Sequence, residues 1–569
     1  MMSEQKLRRI TCTVFLMAAA CASLAREARA IDGGTLQVNA RNGWTAFEVI
    51  SVGDNPVGDG FAWSMPGTFD GLGARLVNSS ALHLQVNHET SDAVISEVVL
   101  NRANFQTAIG NAISTGNPGG VSFVASARQA YDRWSSNGGS IWTNTVNGSN
   151  TSFTRFCSGQ SYRADTFGAN RGFVDNIYIT GEEVSSGRLF ALDLANRDFL
   201  QLSGVAGSAS GGIGGMPFDS WENAALVDTG ETNHVALLLS PDGGTQSMKL
   251  YIGEKGKDSS GAASTSFLAR NGLARGSYYY LNDTLPSSGT STDGTFDTTS
   301  AGALNSTKLE DIDTNPGNPT QVVLGDQDSG LFTFNFGLDF SGGGGFNASG
   351  SGFSITKLLN HVNDIDGTFG DADNVDWTAS TRLDGTTYSN GLIFVNEDTD
   401  TESGEVWMLL PDGTGLTKIG DTAGISSSTE TSGILDISVL VGYEPGSVLL
   451  TSNQGSAASL TVLINPAATL RTLGDMDGDG DLDNFDIQPF ELALTDPAAY
   501  LALYPGLTDY AERGDIDGDG DLDNFDIQPF EQLLTSGSAV GLAAVPEPST
   551  LVLAGLSLVG LVACRIRRR

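Results

Sequence analysis

An acidic stretch of 18 residues occurs twice near the end of the chain. It reads GDMDGDGDLDNFDIQPFE at 474–491 and GDIDGDGDLDNFDIQPFE at 514–531, so the copies lie 40 residues apart and differ at one position. Each copy places carboxylates at positions 1, 3, 5, 9 and 12 of a twelve-residue loop, with a glycine at position 6, which is the spacing of a calcium-binding loop. An acidic linker is the alternative, but so dense a set of carboxylates repels itself unless a divalent cation neutralises it.

The predicted side-chain ligands and two backbone-carbonyl ligands can be read directly from the two copies. The side-chain ligands are Asp475, Asp477, Asp479, Asp483 and Asp486 in the first loop, and Asp515, Asp517, Asp519, Asp523 and Asp526 in the second. Asp481 and Asp521 can offer backbone carbonyls.

The aspartate at position 12 and the paired layout resemble type I dockerin repeats, in which each calcium loop is followed by a helix. The resemblance implies a small α-helical, EF-hand-like module over 474–535. The apolar face of its first helix would be formed by Phe485, Ile487, Phe490 and Leu492. It also implies a cohesin-like protein partner, because Asn484 and Phe485 occupy the positions where cohesin contacts are expected.

A second candidate site surrounds Cys157. The other three cysteines, Cys12, Cys21 and Cys564, lie in terminal segments that look like targeting signals. Cys157 is therefore either a small buried core residue or a thiolate ligand of a metal. A strand-like run that ends in Glu182 and Glu183 follows it and favours the metal, because paired carboxylates at the end of a strand lie at a sheet rim.

Further carboxylates are far apart in sequence, yet each lies in or beside a run that should end a strand. They are Glu89, Glu182, Glu183, Glu222, Glu310 and Glu397. For any one of them a solvated position at a sheet rim is the simpler interpretation. Together they can stay ionised in one place only if cations neutralise them.

The elements that must bring these residues together are short strands. From about residue 31 to 467, short apolar or alternating runs are separated by turn signals such as 241–244 and 411–413. This pattern predicts an all-β domain, and a β-propeller accommodates so many strands while limiting exposed edges. We also predict peripheral helices at 104–114 and 126–135, and a solvated acidic loop at 364–376 in preference to a calcium site.

Several motifs occur in the order found in PhoX-type alkaline phosphatases and their wider relatives, and the resemblance spans about residues 80 to 455. The motifs are Asn87-His88-Glu89, Arg155–Gly159, Gly181-Glu182-Glu183 with Gly187-Arg188 behind it, Trp221-Glu222-Asn223, Leu309-Glu310-Asp311, Ile393–Asp398 and Gly433–Asp436. The chain lacks the Trp-rich and Gly-rich run expected between Cys157 and Glu182, so it is more similar to the wider relatives.

This resemblance implies a β-propeller with a site for calcium and iron that hydrolyses phosphoesters without a protein nucleophile. Cys157 would be the thiolate ligand of iron, and Arg155 would donate to the phosphate. The carboxylate ligands would be Glu182 or Glu183, Glu222, Glu310 and Glu397.

Composition narrows the class of partner. The chain has 569 residues and a formal net charge of −37, which argues against nucleic acid and anionic membranes as partners and suits a protein that binds cations. Glycine is frequent, with 72 residues, as expected for many tight turns. The four histidines have no zinc-ligand spacing.

Both ends of the chain resemble targeting segments. Residues 1–30 have a basic start, an apolar run too short to span a membrane, and Ala28-Arg29-Ala30 at the expected cleavage site of a secretory signal. Residues 545–569 combine Val545–Ser549, an apolar run and terminal arginines, and resemble a PEP-CTERM sorting signal, which implies a transient membrane segment and delivery to the cell surface or matrix.

The leading hypothesis is an exported metal-dependent phosphoester hydrolase with a calcium-binding dockerin module. The alternative is a non-catalytic surface or matrix protein that binds through its propeller and assembles through its dockerin. A polysaccharide-degrading enzyme is a third possibility that rests on association with dockerins alone.

Overall fold

Strands form most of the described chain. The computed structural model describes residues 36–58, 61–145, 153–168, 170–242, 246–341, 345–362, 367–399, 403–424, 430–455, 457–518 and 522–536. Up to residue 242 its strands are β1 Asn39–Ala40, β2 Thr45–Ser51, β3 Val57–Gly58, β4 Phe61–Ala62, β5 Phe69–Asn78, β6 Ala81–His88, β7 Val94–Asn101, β8 Val124–Gln129, β9 Arg133–Ser135, β10 Thr143–Asn144, β11 Phe156–Tyr162, β12 Ile177–Glu182, β13 Leu189–Asp193, β14 Asp198–Gln201, β15 Gly207–Ser208, β16 Ile213–Gly214, β17 Trp221–Val227 and β18 His234–Pro241.

The second half of the chain continues in the same way and ends in helices. Its strands are β19 Lys249–Glu254, β20 Arg275–Asn282, β21 Thr290–Asp297, β22 Leu309–Thr314, β23 Gln321–Asp326, β24 Gly330–Gly337, β25 Gly352–Asn360, β26 Ala372–Trp377, β27 Thr381–Leu383, β28 Thr386–Tyr388, β29 Ile393–Glu397, β30 Glu405–Leu409, β31 Thr417–Asp421, β32 Thr431–Asp436, β33 Val448–Asn453 and β34 Ser459–Ile464. The α-helices are α1 Arg102–Thr115, α2 Phe267–Arg270, α3 Ile487–Thr495, α4 Pro497–Leu503, α5 Tyr510–Gly514 and α6 Ile527–Ser536.

The described strands form six blades of a β-propeller, built mainly from antiparallel pairs, which confirms the predicted fold class. Blade 1 is β5–β8, blade 2 is β11–β14 with β9 and β10 at its outer edge, and blade 3 is β17–β20. Blade 4 is β22–β25, and β21 pairs with both β20 and β25, so it joins blades 3 and 4. Blade 5 is β26 and β29–β31 with β1, and blade 6 is β32–β34 with β2.

The innermost strands of the blades close into a ring. Strands β5, β11, β17, β22, β26 and β32 contact one another in this order, and β32 contacts β5 again. The start of the chain completes its last blades, because β1 pairs with β31 and β2 pairs with β34. This closure covers sheet edges that would otherwise be open to pairing with other chains.

Apolar side chains fill the spaces between neighbouring blades and hold the inner strands in place. Many strands are buried on both faces, which explains continuous apolar runs such as that of β18. Between blades 1 and 2, Phe153, Phe156, Phe190 and Phe199 form one aromatic cluster, with Phe190 and Phe199 stacked at 4.6 Å between ring centroids.

One of the two predicted peripheral helices is present. Helix α1 begins after Asn101, whose side chain accepts a hydrogen bond from the Asn104 N–H, and ends at Gly116 with φ 74°. The predicted helix at 126–135 is wrong, because most of this segment lies in β8 and β9. Its alternating burial suits a strand, and Ala127 pairs with Val98 of β7.

A small helical region follows the propeller. Helices α3 and α6 each come directly after one of the acidic loops, and they pack on a core in which the rings of Phe490 and Phe530 stack at 4.1 Å. Tyr500 of α4 is fully buried there and donates its hydroxyl to the carbonyl of Met476 at 2.7 Å.

No helix within the described ranges is long and apolar enough to cross a membrane. The predicted signal segment 1–30 and sorting segment 545–569 lie outside the described residues.

Candidate metal centre

The second residue of each inner strand faces the same region of the propeller axis. These residues are Asp70, Cys157, Glu222, Glu310, Asp373 and Ser432. In the first five strands the residue lies inside a β-bulge, and Ser432 lies at the edge of one. A bulge bends the strand and re-aims a side chain, so a repeated backbone irregularity brings these donors together.

Two glycines allow the inner strands to approach closely at this level. A Cβ atom on Gly71 would lie 2.3 Å from the backbone nitrogen of Gly159, and one on Gly433 would lie 2.3 Å from the carbonyl oxygen of Asp70. Any side chain at these positions would force the strands apart. The glycines therefore keep the ring narrow where the donors meet.

The donors form one connected cluster, which we call the axial cluster. It contains three triads whose ligand atoms lie within 4.8 Å of one another: Asp70, Glu89 and Cys157; Cys157, Glu183 and Glu222; and Glu222, Glu310 and Asp373. Because Cys157 and Glu222 are shared, the cluster is a continuous arc of one thiol and six carboxylates. Within it the Sγ atom of Cys157 lies 2.8 Å from Oε2 of Glu183.

The electrostatics of the axial cluster favour bound cations. Burial, reinforced by neighbouring carboxylates, raises the pKa values of Asp70, Glu222, Glu310 and Asp373 well above their ordinary range and raises that of Glu183 to about 9. Burial and the charge of Glu222 also raise the pKa of the Cys157 thiol. A bound cation lowers these pKa values, because it stabilises the ionised form of every group that contacts it.

The donor types fit such cations. Carboxylate oxygens are preferred by hard cations such as calcium, and a thiolate is a ligand for softer transition metals such as iron. The axial cluster offers both kinds side by side, since Cys157 belongs to two of the triads.

Two basic side chains border the cluster. Arg155 is ion-paired with Glu89 at 2.7 Å and with Glu183, its side chain is 46% exposed, and it holds a left-handed backbone at φ 51°. Such strained conformations concentrate at functional sites. Lys308 lies with Nζ 3.0 Å from Glu310 and 3.3 Å from Asp242.

Hydrogen bonds between blades orient the ligands. Asn374 of blade 5 donates to the hydroxyl of Ser158 at 2.6 Å, and that hydroxyl donates to Glu222 at 2.8 Å. Asn87 of blade 1 donates to the carbonyl of Cys157 at 2.6 Å. Partners of this kind fix the geometry of metal ligands.

Two of the predicted ligands lie outside the axial cluster. Glu182 is paired with Arg188, with Nε to Oε2 at 2.6 Å. Glu397 accepts hydrogen bonds from the Trp407 indole at 2.9 Å and the Gly370 N–H at 2.8 Å. Of the pair that the PhoX resemblance left open, the structure places Glu183 in the cluster and Glu182 beside it in a structural ion pair.

Sequence reasoning did not assign Asp70, Asp242, Asp373 or Lys308 to the site. The interpretation of 364–376 as a solvated loop is wrong for Asp373 and Asp376, which are buried in β26. The missed signal is a pattern: an apolar residue followed directly by a donor, as in Phe69-Asp70, Phe156-Cys157 and Trp221-Glu222.

The acidic loops bring together three predicted ligands each. Ligand oxygens of Asp475, Asp477 and Asp486 lie within 4.8 Å of one another, and so do those of Asp515, Asp517 and Asp526. The structure places Asp479, Asp481, Asp483 and Asp523 outside these two triads, and Asp519 and Asp521 lie outside the described residues. In both loops the last aspartate stabilises the loop by accepting a backbone hydrogen bond. Oδ1 of Asp486 accepts the Met476 N–H at 2.7 Å, and Oδ1 of Asp526 accepts the Ile516 N–H at 2.6 Å.

Among solved structures, PhoX of Pseudomonas fluorescens in complex with vanadate, a transition state analogue, is similar over 77% of this chain and 98% of its own, with TM-score 0.51 and 11% identity. At this identity the similarity shows the fold. The match to the Cps50 (Swd1) β-propeller domain of Myceliophthora thermophila covers 73% of this chain and 99% of that domain, with TM-score 0.30 and 7% identity. The match to a Trypanosoma rangeli sialidase mutant covers 75% of this chain and 59% of the sialidase, with TM-score 0.34 and 8% identity.

Residues 544–569 match the PEP-CTERM protein-sorting motif. The chain carries this motif at its C-terminus. It indicates export and sorting to the cell surface. No curated protein matches the chain.

Proposed function

We propose that the protein is an exported, metal-dependent phosphoester hydrolase related to PhoX phosphatases. The observation that carries the proposal is the axial cluster, in which one thiol and six carboxylates from different blades meet on the propeller axis. The shared fold with PhoX, which was solved in complex with vanadate, a transition state analogue, supports the same chemistry.

The two kinds of donor suggest how cations are distributed. Cys157, Glu183 and Glu222 would hold iron, because this triad contains the thiol and two carboxylates. Glu222, Glu310 and Asp373 offer only oxygen and would hold calcium, and Asp70 and Glu89 extend the site on the other side of Cys157. Bound cations supply the positive charge that neutralises a phosphoryl group during hydrolysis.

The chain's own cations would bind and orient the substrate. The guanidinium of Arg155 is half-exposed beside Glu89 and Glu183, and its forked donors match two phosphate oxygens. Lys308, whose side chain is 35% exposed beside Glu310, would contact the phosphate as a point charge. Neither residue is a nucleophile. Their role is to hold the phosphoester over the axial cluster.

We further propose that the two acidic loops bind calcium and that the C-terminal region is a dockerin-like module with a cohesin-like partner. The side chains of Phe485 and Phe525 stand at equivalent places in the two repeats and are each 74% exposed, with Ile487 and Ile527 beside them. Exposed aromatic residues of this kind are suited to a protein interface. Export would use the signal segment 1–30, and the sorting segment would be a transient membrane anchor.

The proposal is tested by hydrolysis of a chromogenic phosphomonoester by the purified protein loaded with calcium and iron. Parent protein is compared with Glu222→Gln, which removes a shared ligand, and with Glu397→Gln, a matched control outside the cluster. We expect turnover in the parent and the control and a loss of at least about 100-fold in Glu222→Gln. Absence of turnover in a parent protein that has bound its cations would favour the non-catalytic surface protein instead.

A further inference from the structure

The C-terminal helical region covers the end of the propeller opposite the axial cluster. The cluster lies at the start of the inner strands, whereas this region contacts the segments that follow their ends. A Cβ atom on Gly506 would lie 2.8 Å from Cβ of Ser380, and one on Gly518 would lie 3.3 Å from Cβ of Ser79. A Cβ atom on Gly168 would likewise lie 3.3 Å from Cδ1 of Leu501. Blades 1, 2 and 5 thus all contact the helical region at this end of the propeller, which we call the lower mouth of the central channel.

Arg513 of α5 connects three parts of this interface. It is buried, and its Nη2 lies 3.0 Å from Oε2 of Glu444 on the propeller. Its Nε lies 2.9 Å from Asp509 ahead of α5, and its Nη1 lies 3.5 Å from Oδ2 of Asp475. Asp475 is position 1 of the first acidic loop, so one guanidinium links the propeller, the helix and the loop.

Arginines are concentrated at this interface in a chain that has few basic residues. The protein has 30 Lys and Arg against 67 Asp and Glu. Arg163, which follows β11, contacts Glu512 at 2.6 Å, Arg471 contacts Asp509 at 3.3 Å, and Arg382 of β27 donates to the carbonyl of Asp479. Two acidic bodies repel each other, and these pairs offset that repulsion where the bodies meet.

Polar and apolar groups surround a space within the interface. A cavity of about 320 Å³ lies between the propeller and the helical region, and its lining includes Arg382, Glu444, Asp475 and Arg513 beside Leu470 and Leu507. The interface is therefore not held by apolar contact alone, and the ion pairs of Arg513 make it sensitive to the position of Asp475 in the first loop.

We propose that the C-terminal region is an intramolecular partner of the propeller, that it seals the lower mouth of the channel, and that a divalent cation in the first loop strengthens this docking through Asp475, Arg513 and Glu444. A bound cation would fix the carboxylate of Asp475 where it contacts Arg513. Without the cation, the mutual repulsion of Asp475, Asp477 and Asp486 displaces Asp475 from Arg513, and this loss of position outweighs the greater negative charge of the empty loop. The cation part rests on the proposed calcium loops, whereas the docking part stands on the ion pairs.

Docking leaves the exposed Phe485 and Phe525 available to an external partner. It also implies that a phosphoester reaches the axial cluster only from the side of Arg155.

A cysteine pair across the interface tests both parts in the full protein. Ser380→Cys with Gly506→Cys should form a disulfide under mild oxidation with calcium present, because their Cβ atoms are neighbours. The two single variants control for links between molecules. Failure of the pair to crosslink in calcium would overturn the docking.

Matched loop variants in the same cysteine background separate the cation effect from the axial cluster. Asp477→Asn in the first loop should slow crosslinking by at least about tenfold, whereas Asp517→Asn, its equivalent in the second loop, should change it less than about twofold. Glu444→Lys should also slow crosslinking, and Asp293→Lys, at an exposed position, is its control. If Glu444→Lys does not fold, Glu444→Gln replaces it.

Equal crosslinking in the two loop variants would overturn the cation coupling. If direct titration shows that neither loop binds calcium, the proposed calcium loops fail and the coupling fails with them. Crosslinking of the Ser380→Cys, Gly506→Cys protein with both loops unaltered still tests the docking independently of calcium binding.

Discussion

At the scale of single residues, two adjacent glutamates have different roles. Glu183 joins the axial cluster, whereas Glu182 pairs with Arg188 through two contacts. Glu183→Gln should lower both cation content and phosphoester turnover, by at least about tenfold in rate, without loss of stability when both proteins are compared free of metal. Glu182→Gln should leave turnover unchanged but lower the free energy of unfolding by about 3 kcal/mol, because a neutral amide no longer balances the charge of the Arg188 guanidinium.

Metal analysis, the phosphomonoester assay and denaturant unfolding on the two variants check this prediction. The opposite assignment, with activity lost in Glu182→Gln and kept in Glu183→Gln, would contradict the place given to each carboxylate.

At the scale of elements, the bulges and the glycines opposite them set the spacing of the cluster. Gly433 of β32 approaches Asp70 so closely that a Cβ would lie 2.3 Å from its carbonyl oxygen. Gly433→Ala should therefore displace β5 from β32 and move Asp70 away from Cys157. We expect fewer bound cations and reduced turnover, with the propeller still folded.

Gly345→Ala is the control, since a Cβ there meets nothing within 4 Å. Metal analysis of both variants measures the number of bound cations, and circular dichroism checks that both are folded. Normal cation content in folded Gly433→Ala would show that the close approach of β5 and β32 is not needed.

The elements also show how far the sequence alone could lead. Alternating and continuous apolar runs predicted the strands, and motif order pointed to Cys157, Glu183, Glu222 and Glu310, which the structure brings together. Asp373 was assigned to a solvated loop, because its acidic neighbours look like solvent-facing residues until the pairing of β26 with β29 is known. Glu182 and Glu183 could not be told apart, since only the local twist at the end of β12 decides which side chain faces the axis.

At the scale of the whole molecule, the channel should make the metal-free protein sensitive to pH. Burial raises the pKa of Asp311 from 3.8 to about 7 and that of Asp313 from 3.8 to about 6. Between about pH 4 and pH 7 the folded state then holds more protons than the unfolded state. The free energy of unfolding should fall as pH rises through this window, by roughly 2 kcal/mol for Asp313.

Thermal unfolding in a chelator from pH 4.5 to 7.5 measures this effect. Asp313→Asn should show a shallower fall, because the substitution removes one of the groups that titrate in this window. Calcium should also reduce the slope, since bound cations favour the ionised carboxylates nearby. An unfolding temperature that rises with pH in the chelator would contradict the prediction that these buried carboxyl groups are protonated in the folded, metal-free protein.

The central claim, that the axial cluster is a metal centre with Cys157 as a ligand, is tested most directly by metal analysis of the purified protein beside its Cys157→Ser variant. We predict iron and calcium in the parent, and in the variant a loss of iron with most of the calcium retained, because the acidic loops and the all-oxygen triad are unchanged. Iron absent from both proteins, or equal in both, would contradict the account.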